Sequence, residues 1–195
     1  MALTTSNSDT APIPPANPQI SDSTGETVLP VPFLSQAPYH NLCWAACCAM
    51  VDRALATKYP GQFGQLPAFV LSVSQVVIQA NRCDTDPQAG IDQTCWPDCA
   101  CSVLGFPCTA WNSPVSPPFL CAELTQGRRP VGMFIDWGDG SSHVVLVVGV
   151  NSAGGLFAVN DPLSGGIQTC SYDQLISWNG VGRWTKTYFR FGYSL

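Results

Sequence analysis

From Asn41 to Tyr59 the chain carries neither Gly nor Pro, and the run Cys43–Val51, CWAACCAMV, is apolar at every position. A helix of this composition has no polar face to offer to water, so other elements must enclose it from the start. Asn41 is placed to cap this helix and Pro60-Gly61 to stop it. A chain of 195 residues is long enough to bury it within one domain. A second, weaker helix is expected over 68–80.

The last third supplies what encloses it. "PVGMFIDW", "HVVLVVGV", "GLFAVND" and "WTKTYFRFGY" are β-branched and aromatic runs bounded by Gly, Asp, Asn or Ser, which predicts strands. Helices followed by strands predict an α+β domain with two lobes, the first helical and the second an antiparallel sheet. Between them, residues 83–121 hold six cysteines (Cys83, Cys95, Cys99, Cys101, Cys108, Cys121) among Pro and Gly. This stretch reads as a loop-rich insert with a short helix or two. Residues 1–28, rich in Ser, Thr, Pro and Asp, lack apolar periodicity and read as a disordered tail or a short pro-segment ahead of the domain at 29–195.

Charged residues are 11% of the chain and net charge is -5, with only two lysines, Lys58 and Lys186. Without a basic cluster there is no electrostatic footprint for nucleic acid or for an anionic membrane, and both are discarded as partners. The longest apolar run, His143–Val150, is too short to span a bilayer. Ten cysteines suit an oxidising compartment, yet Met1–Ser8 has neither the basic nor the apolar region of a signal peptide. The expectation is secretion, or delivery into a target cell, without such a peptide; residence in the cytoplasm is the alternative.

A thiol in the first turn of a helix meets the positive end of the helix dipole and unpaired backbone N–H groups, which favour thiolate. Cys43 sits there; Cys47 and Cys48 lie a turn further in and read as core. A thiolate nucleophile needs a proton carrier, and the chain has two histidines, His40 in the preceding loop and His143 at the start of an apolar strand. Asp161 follows His143 by eighteen residues, and a hairpin through "NSAGG" brings it back beside the ring. Asn160 is the alternative third member. An oxyanion needs donors, which the Cys43 N–H and the Gln36 side-chain amide can supply.

Gln36, "CWAA" opening a helix, His143 opening an apolar strand and "NDP" on the next resemble the papain-like cysteine peptidases. Within them the chain is most similar to the bacterial AvrRpt2-type and C39-like branch, which also has a "VPxxxQ" lead-in, here "VPFLSQ" at Val31–Gln36. The resemblance covers residue 29 to the C-terminus. It implies a papain-like two-lobed fold, Cys43 as nucleophile, His143 as general base and acid, Asp161 as the orienting group and Gln36 as oxyanion donor. The Cys-Gly-Ser/Ala-Cys-Trp signature of papain itself is absent, since "NLCW" keeps only the Cys-Trp pair.

The expected activity is therefore hydrolysis of peptide bonds in a protein or peptide substrate, with no cofactor and no catalytic metal. The expected molecule is a monomer whose other partner is an immunity or inhibitor protein, as for an effector or toxin. Acyl transfer, amidase or cell-wall peptide hydrolysis by the same triad, and a binding module with a relic site, are the alternatives. The spacings in 83–121 do not reproduce the paired C-x-x-C of structural zinc sites and leave disulfides, free thiols and metal open. With Cys43 kept free, nine cysteines remain, so at least one is unpaired in a monomer.

Overall fold

A computed structural model of the chain describes residues 25–58, 92–151, 153 and 155–192. The expected helix over 68–80, Cys83 and residues 1–24 of the tail lie outside the described residues. The helices are α1 (Cys43–Lys58), α2 (Pro97–Val103), α3 (Pro117–Thr125) and α4 (Tyr172–Ile176). The strands are β1 (Glu26–Val28), β2 (Thr109–Trp111), β3 (Val131–Asp136), β4 (Ser142–Asn151), β5 (Leu156–Asp161), β6 (Gly166–Ser171), β7 (Ser177–Trp178) and β8 (Gly182–Phe189). All eight join one antiparallel sheet in the order β2-β8-β3-β4-β5-β6, with β1 against β4 and β7 against β8. The chain thus has the α+β character expected of it.

β4 is the centre of the structure. Positions 143–150 are buried without interruption, as a strand must be when both faces are covered. α1, α3 and four strands, β1, β3, β5 and, through β3, β8, gather around it. α1 answers the need for enclosure: Leu42, Trp44, Met50 and the alanines between them are at most 1% exposed. Each large side chain of this kind contributes about 1.5–3 kcal/mol by leaving water. The short helices α2 and α3 each begin with a proline, whose missing N–H costs nothing in a first turn.

Three local expectations change. Glu26–Val28, counted with the tail, pair with Gly149–Asn151 as β1, so the folded domain starts before residue 29. Gly149 permits this approach: a Cβ there would lie 2.8 Å from the Thr27 carbonyl oxygen and 3.0 Å from Val28 Cα. Asn41 does not cap α1. The first helical acceptor is the Leu42 carbonyl, bonded by Ala46 N–H at 2.9 Å, while the Asn41 side chain donates to the Asp92 carbonyl at 3.3 Å. Finally, the cysteine-rich stretch is partly built into the sheet, because β2 pairs with β8.

Candidate active site

The tip of α1 and the start of β4 bring Cys43 and His143 together. His143 Nε2 lies 2.7 Å from Asp161 Oδ1, which leaves Nδ1 for the neighbouring Cys43 thiol, close enough to act on the ring's protonation. All three residues are buried, Cys43 keeping 8% of its surface open. His40, the other histidine, is exposed, and its backbone carbonyl and N–H bond Gln36 and Asp92.

A β-bulge decides which side chain meets His143. Near the hairpin turn Gly149 pairs with Ala158, but further along Val147 pairs with Val159, so Val148 is an extra residue in β4. Without that insertion the ladder would set Asn160 opposite Val147, on the His143 side of the strand. With it, Asn160 stands opposite Leu146 and Asp161 falls on the side shared by Val145 and His143. Asn160 accordingly turns into the core, donating to the Val31 carbonyl at 3.3 Å and to Met50 Sδ at 3.5 Å.

Asp161 is held in turn. Leu163 N–H donates to Oδ1 at 2.9 Å and the Gln168 amide to Oδ2 at 3.3 Å. Burial opposes its ionisation, but the bond and charge of His143 and the N–H groups of Leu163 and Ser164 outweigh it and hold the carboxyl below its ordinary 3.8. For His143, burial disfavours the charged ring; the Asp161 hydrogen bond and the neighbouring Cys43 overcome this and push it up to about 9. Cys47 differs sharply: burial, then the neighbouring Cys43, Cys48 and Asp161, raise its thiol well above 9.0, and it spends its S–H on the Val144 carbonyl at 3.4 Å. Of these two thiols, only Cys43 has a proton acceptor at hand.

The loop before Cys43 is fixed from both sides. Gln36 is 2% exposed, and its Nε2 donates to the Tyr39 and His40 carbonyls at 3.1 and 2.9 Å, while Oε1 is buried without a partner. Both amide hydrogens are thus engaged, and an oxyanion would have to replace one of these carbonyls. From the other side the Asp92 carboxylate accepts from His40 N–H at 3.1 Å and Asn41 N–H at 2.7 Å. The backbone N–H of Gln36 also donates to the Pro162 carbonyl at 3.1 Å, tying this loop to the turn after Asp161.

Sequence reasoning named Cys43, His143, Asp161 and Gln36 but missed Asp92, Gln168 and Trp137. Trp137 stacks beside His143, ring centroids 6.5 Å apart. Gly182 leaves it room, since a Cβ there would stand 2.8 Å from the indole. No signal within the sequence marks Asp92, which lies 49 residues from Cys43 in the chain. Among the described residues no group of three or more His, Cys, Asp or Glu is arranged to hold a metal ion. Compared with protein-family models and with curated proteins, the sequence matches none.

Proposed function

We propose that the chain is a papain-like cysteine peptidase, an endopeptidase or exopeptidase working through a Cys43–His143–Asp161 triad. The observation that carries this reading is the Asp161–His143 hydrogen bond at 2.7 Å with the Cys43 thiol, at a helix tip, beside the ring. The Cys43 thiolate attacks the substrate carbonyl, and imidazolium His143 protonates the departing amine. His143 then takes a proton from water, which releases the acid from the thioester. The oxyanion is held by the Cys43 N–H and by Gln36 Nε2, which exchanges its longer bond, to Tyr39, for the developing charge. Trp137 stands beside the His143 ring, nearly parallel to it. The papain-like two-lobed arrangement is part of the same proposal, with α1 and its neighbours as one lobe and the sheet as the other. An effector or toxin role rests on composition and on the resemblance alone.

Alkylation by iodoacetamide at about pH 6, followed by peptide mass mapping, tests the reading without a known substrate. Cys43 is expected to react far ahead of Cys47, and His143→Ala to remove that advantage. On a casein or peptide-library substrate, Cys43→Ala is expected to lose about 10⁴-fold or more of the activity with the fold retained. Equal alkylation of Cys43 and Cys47, or undiminished cleavage by Cys43→Ala, would overturn it. Product masses separate hydrolysis from transfer to an amine.

A further inference from the structure

The catalytic reading employs one cysteine of α1 and leaves Cys48 without a task. Its Sγ lies 3.3 Å from Sγ of Cys101 on α2, and Cys108, just ahead of β2, is a further neighbour that acts on the Cys101 thiol. Cys48 and Cys101 are closed to solvent, whereas Cys108 is only half-buried. Cys101 thus has a buried thiol, Cys48, on one hand and a half-buried one, Cys108, on the other. We propose that Cys48 and Cys101 are a disulfide-forming pair, reached by an oxidant through Cys108, that ties the helix of the nucleophile covalently to α2.

Geometry supports the pair. The two sulfurs are already in contact, and a disulfide requires them to close by about 1.2 Å. A void of about 10 Å³ bordered by Cys47, Cys48, Cys101, Val51 and Tyr188 gives the side chains slack to do so. α2 already carries an oxidised cysteine, since Cys99, two positions away, is disulfide-bonded. Burial and the neighbouring thiols raise Cys101 well above its ordinary range, and with no exposed surface it is reached by a sulfur presented from within rather than by a reagent in bulk water.

The co-reactant is a low-molecular-weight disulfide, RSSR. The Cys108 thiol attacks it, forming Cys108–S–S–R and releasing RSH. The Cys101 thiol attacks the Cys108 sulfur and releases the second RSH. The Cys48 thiol then attacks the Cys101 sulfur, and Cys108 leaves as a thiol. Two protein thiols are oxidised and one RSSR is reduced to two RSH.

The test uses the full chain, as wild type and as Cys43→Ala so that the proposed nucleophile cannot join the exchange. Each is incubated with oxidised glutathione at about pH 8, alkylated after denaturation, digested without reduction and mass-mapped. The expected product is a peptide pair joined through Cys48 and Cys101, accompanied by a rise in Tm of about 5–10 °C over the reduced protein. Cys108→Ser is expected to slow its appearance about tenfold, because the relay loses its outer member. Full alkylation of Cys48 after oxidation, or a reaction that stops at Cys101–Cys108, overturns the pairing, and an unchanged rate in Cys108→Ser overturns the route. None of these readouts involves substrate turnover, so the outcome stands apart from that of the peptidase reading.

Discussion

At the scale of single residues the site is a set of proton affinities. Folding raises His143 from 6.5 to about 9. A base raised in this way stabilises the fold fully below its unfolded value, and the contribution fades as pH climbs through the folded one. The stability difference between wild type and His143→Gln is therefore expected to be largest at and below pH 6.5 and to vanish above about 9. Urea unfolding of both proteins at about pH 6 and about pH 9.5 measures it, and a gap that widens with pH contradicts the assignment. Asp161 works from the acid side: held below 3.8, it contributes above that value and less as pH falls through its depressed one. Asp161→Asn keeps the shape but removes the charge that supports the imidazolium, so kcat/KM is expected to fall about 10²–10⁴-fold. The plateau of fast Cys43 alkylation should also end at a lower pH than in wild type. Cys43, His143 and Asp161 were legible because residue type, helix tip and strand start coincide in the sequence. Asp92 was not, because a carboxylate that binds backbone N–H groups across a long separation leaves no local pattern.

At the scale of elements, register decides what residue identity leaves open. "ND" at Asn160-Asp161 offers two candidate partners for His143, and the bulge at Val148 selects between them. Exchanging the pair, Asn160→Asp with Asp161→Asn, is therefore not a neutral swap. The carboxylate would land beside Met50 and the Val31 carbonyl, at a position with no exposure. The double variant is expected to be no more active than Asp161→Asn alone and less stable by roughly 3 kcal/mol at neutral pH, the gap shrinking in acid as the carboxyl protonates. Activity regained by the swap would show that the register is not fixed. Gly149→Ala tests the other edge of β4. Its Cβ must displace the Thr27 carbonyl or Val28 backbone, and a loss of about 1–3 kcal/mol with fraying of β1 is expected from urea unfolding and hydrogen exchange. The four long strands and α1 were readable from their apolar runs; the bulge was not, since an uninterrupted buried run such as HVVLVVGV carries no alternation for a register slip to disturb. α4 was missed although Ser171 and Gln174 form a capping box, because five residues are too few to show a helical period.

At the scale of the whole molecule, the site belongs to neither half of the chain. Cys43 and Gln36 come with α1 and the loop before it, His143 and Asp161 with β4 and β5. The two parts meet through buried apolar surface and a few bonds, such as Cys47 to the Val144 carbonyl and Gln36 N–H to the Pro162 carbonyl. The α+β class followed from the order of apolar periods, whereas the way α1 docks beside β4 is a property of complementary surfaces, which no single segment encodes. That docking has a measurable consequence. If α1 and the sheet share one core, as the continuous cluster from Trp44 and Met50 through Leu146 to Trp178 requires, they separate only when the whole domain unfolds. The fast alkylation proposed for Cys43, if it depends on His143 beside it, should then disappear in urea with the same midpoint as the fluorescence change of the buried Trp44 and Trp178. Loss of Cys43 reactivity at clearly lower urea would mean that helix and sheet come apart while each keeps its structure, and that the site is assembled by a weaker, separable interface. Coincident curves would make the reactive thiol a reporter of global stability, because nothing less than the complete fold places its histidine.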